Sequence, residues 1–472
     1  MRRTRSAAAV AAVSVLCLAG PSWPAAAQPV LPPPVNPGQR PSAAEAETTP
    51  YQAPGQVGPP VAADCIGRGP EGDLDLAAIP PGQERMRIRA AQEFATGRGQ
   101  TIAVIDSGVN PHPRLAGRLD DGGDYILGES GTTDCEGHGT VVAGIIAAAP
   151  GATGFVGVAP DVRILAIRQS SRFFEVELPD PETGRTVSKP AGDTASLARA
   201  VVRAVDTPGV SVVNISEAAC FPASRADDPP DRALQAAVRY AADSDVVVVA
   251  AAANIDNAEC RQNPEGEPGT IVSPAWFDQD VLAVGAVDVD TGEPADFTIR
   301  GRWVDVAAPG TRTVSLDPVG GGLTATLADA DGERFPIRGT SFATPYVAGV
   351  AALVRERYPE LTARQVIERI QRTAQHTAGP GGRNRTLGYG VLDPVAALTD
   401  VPLGQGPEQG SVPASEPVEP ARLHDFRLPV PEDPVRRTVA FVGTGAGIAA
   451  LAVTVLTVYT VRRYRRSKLS GG

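Results

Sequence analysis

Thr101-Ile-Ala-Val-Ile-Asp106-Ser-Gly-Val109 sets how the rest of the chain reads. The apolar run over 101–105 is short for a helix and suits a strand buried on both faces, and a carboxylate stands where that strand would end. The same texture returns at 162–167, 210–215, 246–251, 281–287 and 304–307. Segments with helical spacing lie between and after them, at 138–149, 194–205, 231–243, 340–358 and 362–373. Alternation of this kind predicts an α/β fold, a doubly wound and mainly parallel sheet with helices on both faces. In such sheets ligands sit beyond the carboxyl ends of the strands.

Prolines divide the 472 residues unevenly. Residues 1–27 carry Arg2, Arg3 and Arg5, an apolar run and Ala25-Ala26-Ala27, the plan of an export signal. A Pro-rich extension follows over 28–84, whose first part, 28–63, has too little apolar surface to order itself. The globular domain is placed at 85–400 and a Pro-rich stalk at 401–437, able to reach ~100 Å if semi-extended. Residues 438–461 contain no charge and as a helix would span ~36 Å, enough for a bilayer core of ~30 Å. Arg462, Arg463, Arg465, Arg466 and Lys468 then mark 462–472 as a basic cytoplasmic tail. The expected protein is thus held in the cell membrane by one C-terminal transmembrane helix, with its domain outside. A net charge of −11 argues against a nucleic-acid partner.

Once Cys17 leaves with the signal, Cys65, Cys135, Cys220 and Cys260 remain. Four cysteines in an exported chain suggest two disulfides, and three pairings are possible. The nearest-neighbour pairing, Cys65 with Cys135 and Cys220 with Cys260, is the expected one.

Two further motifs join Asp106. Gly137-His138-Gly139-Thr140 opens an apolar helix, and Gly339-Thr340-Ser341-Phe-Ala-Thr-Pro345 opens another with Pro345 still in its first turn. A serine hydroxyl attacks a carbonyl only when an imidazole takes its proton, and a buried carboxylate holds that imidazole in the right tautomer. Gly137 and Gly139 are expected to leave room for backbone close to the substrate. The N–H groups at the start of the Ser341 helix suit a developing oxyanion. Asp106, His138 and Ser341 are therefore the candidate catalytic triad. His112, His376 and His424 lack such context, and acidic residues show no metal-ligand spacing, so no metal or cofactor is expected.

These motifs, in the order Asp, His, Ser, resemble the subtilisin superfamily over roughly 85–400. The resemblance implies that Asn254, closing Val246-Val-Val-Val-Ala-Ala-Ala-Ala-Asn254, is the oxyanion-hole donor. It also implies that Val212-Val-Asn-Ile-Ser216 leads to the substrate-binding wall. That wall reads Ser216, Glu217, Ala218, Ala219 where the family commonly has Ser-Leu-Gly-Gly. Ala253 stands where the family tends to have glycine. Added methyl groups and a carboxylate predict a narrow, polar pocket for a small P1 side chain. The whole layout resembles the mycosins, the proteases of type VII secretion systems. That implies limited cleavage of secreted protein or peptide substrates beside components of a secretion membrane complex. It also leaves open a structural subunit for which proteolysis is dispensable. The insertions at 168–192 and 311–335 either shape the cleft, dock partners or are inert. Cys65 would tie the extension beside His138, so the extension is expected to stay wrapped on the domain.

Overall fold

The computed structural model describes residues 30–51, 61–62, 64–67, 73–179, 184–255, 259–265, 268–329, 331–377, 379–400 and 449–462. The export signal, the 401–437 stalk and the 463–472 part of the tail lie outside them.

Seven strands form the central sheet: β1 (Thr101–Asp106), β2 (Leu119–Asp124), β3 (Arg163–Arg168), β4 (Val210–Ile215), β5 (Val247–Ala251), β6 (Leu282–Val287) and β7 (Val306–Pro309). Their spatial order is β7-β6-β5-β4-β1-β3-β2, and every pairing is parallel. Six of the seven follow from apolar runs in the sequence. The edge strand β2, Leu-Asp-Asp-Gly-Gly-Asp, does not. Its Gly122 lies so close to β3 that an added Cβ would stand 2.5 Å from Ile167 and 2.8 Å from the Ala166 carbonyl. Contact of backbone on backbone leaves no hydrophobic signal to read.

Side chains alternate across the sheet. Ile102, Val104, Val212, Val247 and Val249 face one cluster, with α1 (His138–Ala147), α4 (Thr340–Arg357) and α5 (Ala363–Thr373). Ala103, Ile105, Val213, Ile215 and Val248 face the other, with α2 (Thr194–Asp206) and α3 (Arg232–Asp243). Every residue of α1 is buried, which explains its apolar circumference. The result is the predicted α/β architecture with helices on both faces.

Both nearest-neighbour disulfides are present, Cys65–Cys135 closing 70 residues and Cys220–Cys260 closing 40. The insertion at 168–192 is a β-hairpin, Ser171–Pro179 with Thr186–Ala191, and Val61–Ala62 of the extension adds a third strand to it. The expectation that 28–63 stays unordered fails for 30–51. Ala46 and Tyr51 are buried; the Tyr51 hydroxyl donates to Asp193 at 3.2 Å, its N–H to the Ile126 carbonyl at 3.0 Å, and Gln235 Nε2 to the Pro33 carbonyl at 2.7 Å. The segment has little core of its own and is ordered by burying itself on α2 and α3. None of its residues lines the cavity described below.

The second compact unit, 404–472, is described only at 449–462, which is helical. Its Thr454, Thr457 and Thr460 hydroxyls donate to carbonyls one turn back at 2.8–2.9 Å. No helix among the described residues is long and apolar enough to cross a membrane.

Cutting the Cys65–Cys135 bond frees a 70-residue loop, so the double variant C65S/C135S is expected to lose up to ~4 kcal/mol. Its extension should become the first site of limited trypsin cleavage. Unchanged melting and an equally resistant extension would refute this.

Candidate active site

Asp106 ends β1, fully buried, and its Oδ1 accepts the Nδ1–H of His138 at 2.6 Å and the N–H of Ser107 at 2.8 Å. Its Oδ2 has no partner among the described residues. His138 begins α1 and packs its ring on Phe342, with centroids 5.0 Å apart. Burial alone would lower the His138 pKa. Asp106, with Glu217 and Glu136 adding, more than reverses this and pushes it up to about 9.

A residue that carried no sequence signal fixes this geometry. Buried Asp134 accepts from Ser107 Oγ at 2.9 Å, Gly137 N at 2.7 Å, Thr140 N at 2.9 Å and Thr140 Oγ1 at 2.6 Å. Ser107 Oγ in turn accepts the Gly139 N–H at 2.9 Å. So the end of β1 and the first turn of α1 are tied through one carboxylate. Burial drives the Asp134 pKa up to about 7 against those donors. The glycines around His138 allow close packing on either side of it. A Cβ on Gly139 would stand 2.0 Å from the Gly108 carbonyl and 3.1 Å from Asp106. One on Gly137, at φ +83°, would meet Pro318 at 2.7 Å.

Ser341 is the second residue of α4, so Pro345 lies beyond the first turn, contrary to the sequence reading. The missing N–H of Pro345 has a visible consequence. The Ser341 carbonyl, which an intrahelical bond would otherwise occupy, accepts Ser216 Oγ at 2.8 Å, and Ser216 is held by Asn214 Nδ2 at 3.0 Å. The turn that carries Ser341 is thereby fastened to the segment past β4. The Ser341 hydroxyl makes no hydrogen bond among the described residues. In free hydrolases the serine–histidine bond is often loose until substrate arrives.

Asn254 accepts the Thr340 N–H at 2.9 Å and the Thr340 hydroxyl at 3.1 Å through Oδ1, which orients its Nδ2 away from them. A Cβ on Gly339 would lie 3.2 Å from that nitrogen. Ala253, one residue earlier, is held at φ +64°, a left-handed conformation that glycine adopts without strain. The departure noticed in the sequence is thus a strained one.

His138, Ser341, Asn254, Ser216, Glu217, Ala218 and Ala253 line one cavity of about 190 Å³. Ala219 follows in the short strand Ala219–Pro222, and the Cys220–Cys260 bond pins it, with Cys260 itself at the cavity wall. Both insertions reach this cleft: Arg172 from 168–192, Leu327 and Phe335 from 311–335. Although no metal-ligand spacing is visible in sequence, donor atoms of Asp106, His138 and Glu217 gather within 4.8 Å of one another. Asp106 and His138 are already engaged with each other. His112 pins its own loop, accepting the Arg114 N–H at 3.1 Å with Nε2 3.0 Å from the Gly322 carbonyl, while His376 is exposed and His424 is outside the described residues.

A parallel α/β sheet with an acid, an imidazole, a helix-borne serine and an amide gathered at its carboxyl edge defines a subtilisin-like serine peptidase. The sequence pattern of the subtilase family (Peptidase S8) matches residues 97–390, and the chain belongs to that family and, within it, to the mycosins. It is 44% identical over 385 residues to Mycosin-4 of Mycobacterium tuberculosis, covering 79% of this chain and 80% of that one. The MycP3 protease from the type VII (ESX-3) secretion system superposes with a TM-score of 0.66 at 41% identity, over 78% of this chain and 99% of that one. A chain of the intact ESX-5 inner membrane complex superposes at 0.67 with 38% identity, over 91% and 99%.

Relieving the left-handed strain at Ala253 should outweigh the extra chain entropy of glycine, so A253G is expected to gain roughly 1 kcal/mol. A253V, with its branched Cβ, should be clearly destabilised. Denaturant melts of the two variants decide it; an ordering of A253V above A253G contradicts the strain.

Proposed function

We propose that this protein is a membrane-anchored, extracytoplasmic endopeptidase that cuts secreted proteins at few sites beside a type VII secretion complex. Asp106, His138 and Ser341 act as its triad and Asn254 as its oxyanion donor. The observation that carries the reading is the 2.6 Å contact between buried Asp106 and His138, facing the helix start that bears Ser341.

In this reaction Ser341 Oγ attacks the scissile carbonyl while His138 Nε2 takes its proton. Asp106 keeps the Nδ1–H in place and stabilises the imidazolium. Asn254 Nδ2, left free by the bonds that Oδ1 makes to Thr340, and the backbone N–H at Ser341 bind the oxyanion. His138 then returns the proton to the leaving amine, and water repeats the sequence on the acyl-enzyme. Ala218, Ala219 and Ala253 take up room with methyl groups, which favours a small P1 side chain.

Anchoring is supported by the uncharged run 438–461 followed by five basic residues, and by the internally satisfied threonines of 449–462. Association with a secretion complex is supported by the relative found within the ESX-5 inner membrane complex. That same relative favours a second role as a structural subunit.

S341A should abolish cleavage of secreted substrates, and N254A should lower kcat by about 10²–10³, the loss seen on removing the corresponding donor in subtilisin. Secretion surviving in S341A cells would separate the two roles; cleavage surviving in them would sink the peptidase assignment. A peptide library cleaved best after Phe or Leu would disprove the small-P1 pocket. The base must be neutral to act, and its pKa lies at about 9, so kcat/KM of the free enzyme should climb through pH 8–9 on a peptide without basic residues. A plateau already reached by pH 7 contradicts it.

A further inference from the structure

Glu217 is the one side chain of the cleft wall whose position no step of that reaction uses. It is half-buried and lines the same cavity as Ser341 and His138, yet it makes no hydrogen bond or ion pair among the described residues. The charged groups facing it are Asp106 from β1, His138 from α1, Glu136 from the turn before α1, and Arg172 from the inserted hairpin. Arg338, before α4, lines the same cavity and is paired with Asp296 at 3.3 Å.

Arg172 is the cation that proximity would assign to Glu217, but its side-chain bond goes to Glu136. Its Nε donates to Glu136 Oε1 at 2.9 Å and its backbone N–H to Glu136 Oε2 at 2.8 Å, with Ser171 Oγ adding a third bond at 3.1 Å. One guanidinium therefore serves two carboxylates and is bonded to the wrong one for the cleft. A partly desolvated carboxylate without a partner is unfavourable, and burial together with Asp106 pushes the Glu217 pKa up to about 7. What would satisfy it is a cation arriving from outside.

The cleft says where that cation comes from. An extended peptide turns successive side chains to opposite sides. A small P1 residue seated against the wall at Ser216 to Ala219 would turn its N-terminal neighbour away from that seat, and the Glu217 carboxylate, within 4.8 Å of a His138 ring nitrogen, borders the cavity it would enter. There is also space for a long side chain. Glu217, Ala218 and Arg172 border a second cavity of about 370 Å³ that continues past the hairpin.

We propose that Glu217 is a specificity-determining residue that receives a lysine or arginine side chain of the substrate at P2. Selection then needs two adjacent features, a small residue at the cut and a cation before it. The assignment rests on the serine-peptidase reading given above. It also couples binding to chemistry. Glu217 is among the carboxylates that hold the His138 proton, so a substrate cation that neutralises it lowers the His138 pKa and frees the base at lower pH.

The test uses the full-length protein in detergent and fluorogenic peptides with Ala at P1 and Lys, Arg, Gln or Glu at P2. Wild type should favour Lys or Arg over Gln by about tenfold or more in kcat/KM, the scale of one charge-assisted hydrogen bond, and added salt should reduce the ratio. In E217Q the ratio should fall to within about twofold, and E217K should shift preference to P2 Glu. With wild type the pH profile of kcat, which reports the enzyme–substrate complex, should reach its plateau at lower pH for the P2 Lys peptide than for the P2 Gln peptide. Labelling with a fluorophosphonate counts competent sites, so a misfolded variant is recognised, and the ratio is read per labelled site. A wild type that cleaves through Ser341 without a P2 preference, or a preference that persists in E217Q and E217K, overturns the role of Glu217 alone. A wild type that cleaves none of the peptides and takes no label overturns the peptidase reading beneath it.

Discussion

Everything at this site depends on burying one carboxylate at the end of a parallel strand. Asp106 has no exposed surface, and an isolated charge there would be untenable. It persists because an imidazole N–H and a backbone N–H meet the same oxygen. That requirement dictates the approach of α1, since His138 must arrive at hydrogen-bond distance on a helix that is itself wholly buried. The approach is so close that Gly139 meets the Gly108 carbonyl, and no side chain fits between them. Asp134 locks the arrangement by bonding both segments. The second buried carboxylate thus stabilises the placement of the first.

The other half of the site is positioned by a defect in a helix. Pro345 withholds an N–H from α4, and the carbonyl so released belongs to Ser341. Ser216 takes up that carbonyl, so the helix carrying the candidate nucleophile is bonded to the wall past β4. Thr340 does the same for Asn254 past β5. Three strand ends and two helix starts are therefore joined by short-range bonds around a cavity of about 190 Å³. Precision here comes from coupling the elements, which is what a reaction sensitive to tenths of an ångström needs.

These features were unequally legible in the sequence. Strands buried on both faces announce themselves as apolar runs, and Asp106, His138, Ser341 and Asn254 sit at the ends of such runs or at helix starts. Their motifs could be read because each is local. β2 could not, because an edge strand packed by glycine backbone has no apolar period. Asp134 looked like any loop acid, and its role appears only when residues 107, 137 and 140 close around it. Residues 30–51 read as unable to order themselves, which is correct for the isolated segment, but composition cannot report a surface borrowed from α2 and α3. Arg172 was hidden inside an insertion whose hairpin also pairs with 61–62, far away in sequence.

The two insertions add to the wall of the cavity. A bare α/β core leaves an open carboxyl edge, suited to many sequences. Here Leu327 and Phe335 from one insertion and Arg172 from the other close in on the cavity. The disulfides act on the same perimeter. Cys65–Cys135 fixes the extension three residues before His138, and Cys220–Cys260 stiffens the wall directly after Ala219. On the proposed reading a substrate must fit walls braced by two disulfides, beside Glu136, which has its guanidinium, and Glu217, which does not. Rigid walls discriminate by shape, and an unmet charge discriminates by sign. On the proposed reading, a chain that combines both trades breadth of substrate for choice among substrates, the property a processing peptidase needs when its substrates pass close by and most of their peptide bonds must survive.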